Sequence, residues 1–354
     1  MISFKYVHYL RIHMIYSVQY LRGIAALMVV LHHIAIKGSQ YDISALNYFH
    51  VGYFGVDLFF IISGYIMCHT TANKKITFSK FMGARISRIM PLYWVVTSLA
   101  FIIFIVKPDI VNSGGGTTSV WASYILAPTG DRFLVDNGWT LSYEFFFYFI
   151  FGCTLMLKTE NRGFIIGCII WMLVAVGLYI HPETSWGKFS TNVLLLEFLM
   201  GICAFNILRR NNINNTIAII LIITGLTILI AENSLGTITT PFHRAISGGV
   251  PMLMIFLGMV SFEKKLMKNK NIILNFTEKL GNSSYSLYLI HPFILSPAAI
   301  VSKKMGITDY PWIFTSILLL GAIIAGWICY LYIETPLTKI VKKHLERRIS
   351  IKVG

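Results

Sequence analysis

The sequence predicts an all-α integral membrane protein of about ten transmembrane helices, with both termini in the cytoplasm. Three observations carry that expectation. Of the 354 residues, 56% are hydrophobic and 13% charged, a balance far from that of a water-soluble domain. Apolar runs of about 17–22 residues, long enough to cross a bilayer's hydrocarbon core, recur along the chain. Lysine and arginine gather in alternate connecting segments, as the positive-inside rule expects.

In order, the runs place spans at 18–37, 54–70, 91–106, 139–157, 164–180, 190–208, 215–231, 246–262, 281–301 and 311–333. With the N-terminus inside, 23 of the 30 Lys and Arg residues fall in cytoplasmic segments and 7 outside. The reverse orientation breaks the bias at nearly every loop. The net charge of +15 is therefore topological and does not indicate nucleic acid, since the basic residues sit between apolar runs and not along one polar face. Cys68, Cys153, Cys168, Cys203 and Cys329 lie in apolar segments without metal-type or secreted-framework spacing, and read as packing residues. The first twenty residues mix charges, histidines and aromatics and do not read as a signal peptide. No linker or internal repeat appears, so 1–354 is treated as one membrane domain. The stretch "NSGGGTTS" in the longest outside loop, 107–138, lacks the Lys-Ser/Thr ending of a phosphate loop and reads as a flexible turn.

The first span carries Arg22 and His33. Eleven residues at 100° each bring them nearly onto one helix face, about 16 Å apart along the axis. Arg22 then sits at the cytoplasmic headgroups and His33 deep in the outer half, while His32 points elsewhere. Taken singly, Arg22 also fits a snorkelling anchor and His33 an interhelical hydrogen bond. In the second span, "GYFGVDLFFIISGYIM", Asp57 lies at a depth comparable with His33. The two together form the acid–histidine half of a catalytic triad, or a passive polar contact between helices. Arg85 and Arg88, in "FMGARISRIMPLYW", stand one helical turn apart before the third span. Paired guanidinium groups suit bidentate phosphate recognition, whereas topological retention would accept lysine equally.

These stretches resemble the membrane-bound acyltransferase 3 family, in particular its exopolysaccharide-production and O-antigen O-acetyltransferase members without a fused soluble esterase-like domain. The carriers are "LRGIAALMVVLHH", "GYFGVDLFFIISGYIM", "FMGARISRIMPLYW", "WTLSYEFFFY", "LGNSSYSLYLIHPF" and "YIETP", which cover nearly the whole chain in this order. The resemblance implies a multi-pass enzyme of the bacterial inner membrane. It would take an acyl group, usually acetyl, from cytoplasmic acyl-CoA and deliver it to an extracytoplasmic carbohydrate hydroxyl. It places the family's arginine and histidine on Arg22 and His33, its second-helix acid on Asp57 and its Arg-x-x-Arg motif on Arg85 and Arg88.

On this reading Arg22, Arg85 and Arg88 bind the phosphates of acetyl-CoA, and the 16 Å to His33 matches an extended pantetheine arm. His33, oriented by Asp57, is the general base toward the sugar hydroxyl, with a covalent acyl-histidine as the variant. Trp139, Ser142, Tyr143 and Glu144 at the outer start of the fourth span, and Tyr285, Tyr288 and His291 in the ninth, are candidate acceptor or channel residues. Glu144 equally fits helix N-terminal stabilisation, and His291 an interhelical bond. Glu197 has no motif behind it, and Glu334 reads as an interfacial partner of the basic mouth. The histidines show no ligand spacing, so no metal is expected. Expected partners are acyl-CoA, a carbohydrate acceptor and membrane lipid, and a homo-oligomer is compatible with the sequence. A polysaccharide or lipid-linked sugar transporter is the alternative, although neither inverted repeats nor broken helices are evident. A non-catalytic scaffold is the third reading.

Overall fold

The computed structural model describes residues 15–351, apart from 47–48, 73, 112–114, 236–240 and 269–270. The signal-peptide reading therefore falls mostly outside the described residues, as does the start of the "NSGGGTTS" turn. The described secondary structure is helical, with one isolated β-bridge between Thr118 and Arg132.

Among the described residues, eight helices are long and apolar enough to cross a bilayer: Tyr16–Ser39, Val51–Thr71, Phe78–Val106, Thr159–Ile180, Ser185–Arg210, Asn215–Leu235, Ser284–Lys304 and Pro311–His344. Each overlaps an expected span. The other two expected spans, 139–157 and 246–262, fall on shorter helices, Gly138–Cys153 of 16 residues and Ala245–Ser261. Sixteen residues rise about 24 Å, less than the ~30 Å of a hydrocarbon core. Hydropathy measures apolar content and is blind to where a helix stops, here at the turn after Cys153.

A second difference concerns the arginine pair. The helix Phe78–Val106 begins thirteen residues before the expected span, with Thr77 accepting a hydrogen bond from Lys80 N at 3.4 Å as its N-cap. Arg85 and Arg88 are thus on this helix and not on a cytoplasmic loop. A hydropathy window stops at charges; the helix continues because Phe81, Ser87, Ile89 and Met90 supply a buried face.

The chain forms two compact units. The first comprises the described residues of Met1–His69, Glu197–Ser284 and Thr308–Thr315, and the second those of Thr70–Leu196, Tyr285–Ile307 and Ser316–Gly354. In the first unit the 51–71 helix crosses the 197–210 segment at two glycines. A Cβ on Gly64 would strike the carbonyl of Phe198, and one on Gly201 the carbonyl of Ile61, so the backbones approach as small residues permit in membrane bundles. Glu263 caps the 16–39 helix from afar: its carboxylate accepts Tyr16 N and Ser17 N at 2.8 Å each, and Ser17 Oγ at 2.6 Å. Two N–H groups that have no partner within the helix are thereby satisfied by an anion at the positive end of its dipole.

In the second unit Arg162 gathers three chain ends, donating to Thr71 Oγ1 at 3.0 Å and to the carbonyls of Leu155 and Leu157 at 3.3 Å each. The expected outside loop 107–138 is not a surface loop along its whole length. Its second half packs midway along the 78–106 helix, where Tyr93 Oη donates to Ser123 O at 2.7 Å and Trp94 Nε1 to Tyr124 O at 3.0 Å. Leu126, Ala127, Phe133, Leu134 and Val135 are buried there. Non-helical backbone of this kind is stable near hydrocarbon only inside protein.

The Glu263 cap makes a direct prediction. Glu263→Ala strands Tyr16 N and Ser17 N and should cost about 2 kcal/mol, read as a lower melting midpoint of the detergent-solubilised protein. An unchanged midpoint would remove the cap from the account of stability.

Candidate active site

The polar residues of the first unit converge at the start of the 51–71 helix. Asn233 Oδ1 caps that helix, accepting His50 N at 2.8 Å and Val51 N at 3.2 Å. A Cβ on Gly55 would strike the carbonyl of Ala25, so this end lies close against the 16–39 helix. Asp57, two residues on, is fully buried. Its partner is Arg244, an arginine that in the sequence reads only as one of the outside charges: Nη2 donates to Oδ2 at 2.7 Å and Nε to Oδ1 at 3.2 Å. Each Asp57 oxygen accepts from Arg244, and no bond from His33 reaches Asp57, so the direct His33–Asp57 bond expected from the sequence is not formed. The physical reason is the donor. A guanidinium is permanently charged and matches a carboxylate with two parallel N–H groups, where an imidazole offers one.

Arg22 and His33 do share one continuous helix, and both are half-buried. The His33 ring meets His32 edge-on at 5.6 Å, and His32 meets Tyr53 at 5.6 Å. The Arg244 guanidinium lies 5.0 Å from the centre of the Tyr53 ring. His33, His32, Tyr53, Arg244 and Asp57 therefore form an unbroken run of side chains. Glu197 belongs to the same electrostatic cluster as Asp57 and Arg244. It is fully buried with its carboxyl against that of Asp57, and no N–H or hydroxyl among the described residues donates to it. Immediately after Arg244 the chain turns as a π-helix, Ala245–Gly249, an irregularity common at functional sites. A cavity of about 490 Å³ lies alongside, lined by apolar side chains such as Met28 and Leu58 with Asn233 as its polar member. That lining suits hydrocarbon and not a phosphate.

The remaining candidates lie in the second unit, so the expected donor residues are divided: Arg22 is in the first unit, Arg85 and Arg88 in the second. Arg85 is half-buried between two rings, 5.9 Å from the centre of Phe81 and 6.0 Å from that of Tyr148. Its Nε has no hydrogen-bond partner among the described residues. Arg88 is exposed. Tyr148 donates to Glu144, and Glu144 is within electrostatic reach of Arg85. Hydropathy puts Glu144 at the outer end of its span and Arg85 at the cytoplasmic mouth. In the structure the two are neighbours, because the 138–153 helix pairs with the early, arginine-bearing half of the 78–106 helix. Glu144 is also past the first turn of its helix, which removes the dipole role.

Ser142 Oγ donates to the carbonyl of Leu126 at 2.9 Å. Trp139 packs on Ala122, Ala127 and Phe133, and Tyr143 on Phe189. Ser142 and Trp139 thereby fix the embedded 120–137 segment, and Tyr143 braces the helix behind it. Tyr285 Oη donates to Ile89 O at 2.7 Å, and Ser286 Oγ to Glu334 at 2.6 Å. His291 is fully buried, with Nδ1 3.1 Å from Leu287 O. Asn137 is not among the residues the sequence singles out, although a signal for it exists. Pro292 has no N–H to give the carbonyl of Tyr288 four residues earlier, and Asn137 Nδ2 supplies the missing donor at 2.6 Å. Thr140 Oγ1 completes the contact with Tyr288 Oη at 2.9 Å. Among the described residues no three His, Cys, Asp or Glu side chains are grouped as a metal site.

An acyltransferase domain model matches residues 15–332. The chain is 26% identical over 305 residues to the exopolysaccharide production protein ExoZ of Rhizobium meliloti (strain 1021), covering 83% of this chain and 92% of that protein. It is 24% identical over 368 residues to the O-acetyltransferase OatA of Staphylococcus aureus (strain NCTC 8325 / PS 47), covering 93% of this chain and 59% of OatA, which extends well beyond the shared part. Identity to the acyltransferase MdmB of Streptomyces mycarofaciens is 23% over 363 residues, 91% of each chain. No solved structure matches the chain significantly.

The Asn137 contact predicts a coupled pair. Asn137→Leu should cost about 2 kcal/mol by stranding the buried Tyr288 carbonyl. In a Pro292→Ala background, where the residue 292 N–H returns, most of that cost should vanish. Equal costs in the two backgrounds, read from melting in detergent, would disprove the explanation.

Proposed function

Since the chain belongs to the acyltransferase 3 family across residues 15–332, we propose that this multi-pass membrane protein transfers an acyl group, acetyl in the first instance, from cytoplasmic acyl-CoA to a hydroxyl of an extracytoplasmic carbohydrate. The observation that carries the reading is the pairing of Arg22 with half-buried His33 on one continuous apolar helix, about 16 Å apart along its axis. That separation suits a phosphate anchor at one end of a pantetheine arm and a base at the other. The relatives support the substrate class, one being named for exopolysaccharide production and another as an O-acetyltransferase. Both units are taken as parts of one catalytic domain, because the family match runs through both.

His33 is the general base toward the acceptor hydroxyl. Arg22 is the phosphate ligand on this helix, and Arg85 and Arg88, in the second unit, carry a pair of guanidinium groups suited to phosphate in their own right. Arg85, its Nε unsatisfied among the described residues, has the character of a group completed by an incoming anion. A cytoplasmic N-terminus in the bacterial inner membrane is supported by the 23-to-7 division of Lys and Arg. It is also consistent with Glu263 meeting Tyr16 and Ser17, residues the charge rule assigns to one side.

Two experiments test this reading in inside-out vesicles that enclose de-O-acetylated surface polysaccharide and receive acetyl-CoA from outside, with membrane insertion checked for each variant. His33→Ala should lower transfer by about 10²–10⁴-fold, and wild-type rates in an inserted His33→Ala protein would sink the mechanism. Arg85→Lys and Arg88→Lys should raise the donor concentration needed while sparing kcat, since a contact made equally in ground and transition states contributes uniform binding. If both lysine variants match wild type at limiting donor, the motif serves charge retention and not bidentate phosphate recognition.

A further inference from the structure

We propose that Arg244 is a catalytic residue: clamped by Asp57, it presents its Nη1 edge to the oxyanion that forms when the acceptor hydroxyl attacks the thioester carbonyl. The inference rests on the acyl-transfer reading above and adds to it the group that receives the developing negative charge.

The clamp leaves that edge available. Arg244 spends one N–H of Nε and one of Nη2 on the two oxygens of Asp57. Among the described residues Nη1 makes no hydrogen bond, and the side chain keeps 20% of its surface accessible while Asp57 keeps none. A guanidinium held in plane by a buried carboxylate and faced by the Tyr53 ring at 5.0 Å has little freedom to swing. Preorganised donors of this kind are what stabilise charge that appears only in a transition state.

Arg244 also belongs to the same unit as the base, joined to it by a run of side chains with Tyr53 and His32 between them. From Arg244 the contacts pass to Tyr53, then at 5.6 Å to His32 and at 5.6 Å to His33. The π-helical turn that begins at Ala245 gives the arginine a local backbone unlike the regular helix after it. Asp57 becomes, in this scheme, a positioning residue that acts through Arg244.

The chemistry balances without a further reactant. His33 removes the proton of the hydroxyl as its oxygen bonds to the thioester carbon, and the carbonyl π electrons move onto oxygen, where Arg244 Nη1 donates to them. The tetrahedral adduct collapses, the carbon–sulfur bond breaks, and the CoA thiolate takes the proton from His33. The products are an O-acyl ester and free CoA thiol.

The test must separate this role from that of a structural ion pair. Removing Arg244 alone leaves Asp57 buried without a counter-ion and endangers folding. The informative variant is therefore the neutral pair Asp57→Asn with Arg244→Gln, alongside Arg244→Lys, each full-length in proteoliposomes. The donor is acetyl-CoA, the acceptor de-O-acetylated surface polysaccharide, and the readouts are CoA thiol release and melting midpoint. The neutral pair should insert and melt like wild type yet lose about 10²–10³-fold in kcat, with the KM for acetyl-CoA little changed. Arg244→Lys, which keeps the charge and loses the fork, should also fall in kcat. Recovery of wild-type kcat by the neutral pair would overturn the proposal and leave Arg244 a structural partner. If the neutral pair fails to insert, a wild-type kcat in inserted Arg244→Lys overturns the proposal and a lowered kcat at unchanged KM upholds it. Loss of wild-type transfer itself would be a different failure, that of the acyl-transfer reading, and His33→Ala in the same assay distinguishes the two.

Discussion

Lipid offers no water to a stranded polar group, and the contacts that organise this chain answer that constraint one by one. The start of the 16–39 helix finds a distant carboxylate in Glu263, and the start of the 51–71 helix finds Asn233. The carbonyl orphaned by Pro292 finds Asn137, and the carbonyls at Leu155 and Leu157 find Arg162. Each partner lies outside the element it completes. Secondary structure satisfies the middles of helices; side chains from elsewhere satisfy their ends, and so decide which helices lie together.

The same constraint explains the partner of Asp57. A fully buried carboxylate needs both a counter-charge and donors for its lone pairs. Arg244 supplies both through one planar group, which His33 could not. Asp57 therefore does not claim His33 as its counter-ion. Glu197 is the opposite case, a buried carboxyl set against that of Asp57, to which no N–H or hydroxyl among the described residues donates. One guanidinium thus serves a neighbourhood containing two acids, which ties its position to the charge of both.

What the sequence disclosed follows from which signals are local. Eight helices were legible because an unbroken apolar run of bilayer length is seldom anything but a membrane helix, and the shared face of Arg22 and His33 follows from helical period alone. The helical character of 78–90 was not legible to hydropathy, because Lys80, Arg85 and Arg88 interrupt the apolar run although its buried face continues through Phe81 and Ile89. Arg244 was hidden for another reason. A lone arginine in "PFHRAISGG" looks the same whether it answers a membrane potential or a carboxylate 187 positions earlier. Tertiary pairing at such separation leaves no periodic trace. Asn137 was hidden likewise, although Pro292 announced that some donor was needed at Tyr288.

The arginines of the two units show that burial alone does not define a function. Arg244 is complete on one side, forked onto a buried acid, and its Nη1 makes no hydrogen bond among the described residues. Arg85 is held by ring faces instead, with Glu144 reached through Tyr148 and its own Nε unsatisfied among the described residues. Aromatic neighbours at about 6 Å attract a guanidinium without consuming its Nε hydrogen, so Arg85 keeps a donor unspent. A cation completed by its own chain suits a charge that appears only during reaction. A cation left incomplete suits an anion that arrives and leaves. Each unit thus holds its arginine by a different physics, a fork onto a buried acid in one and neighbouring aromatic rings in the other.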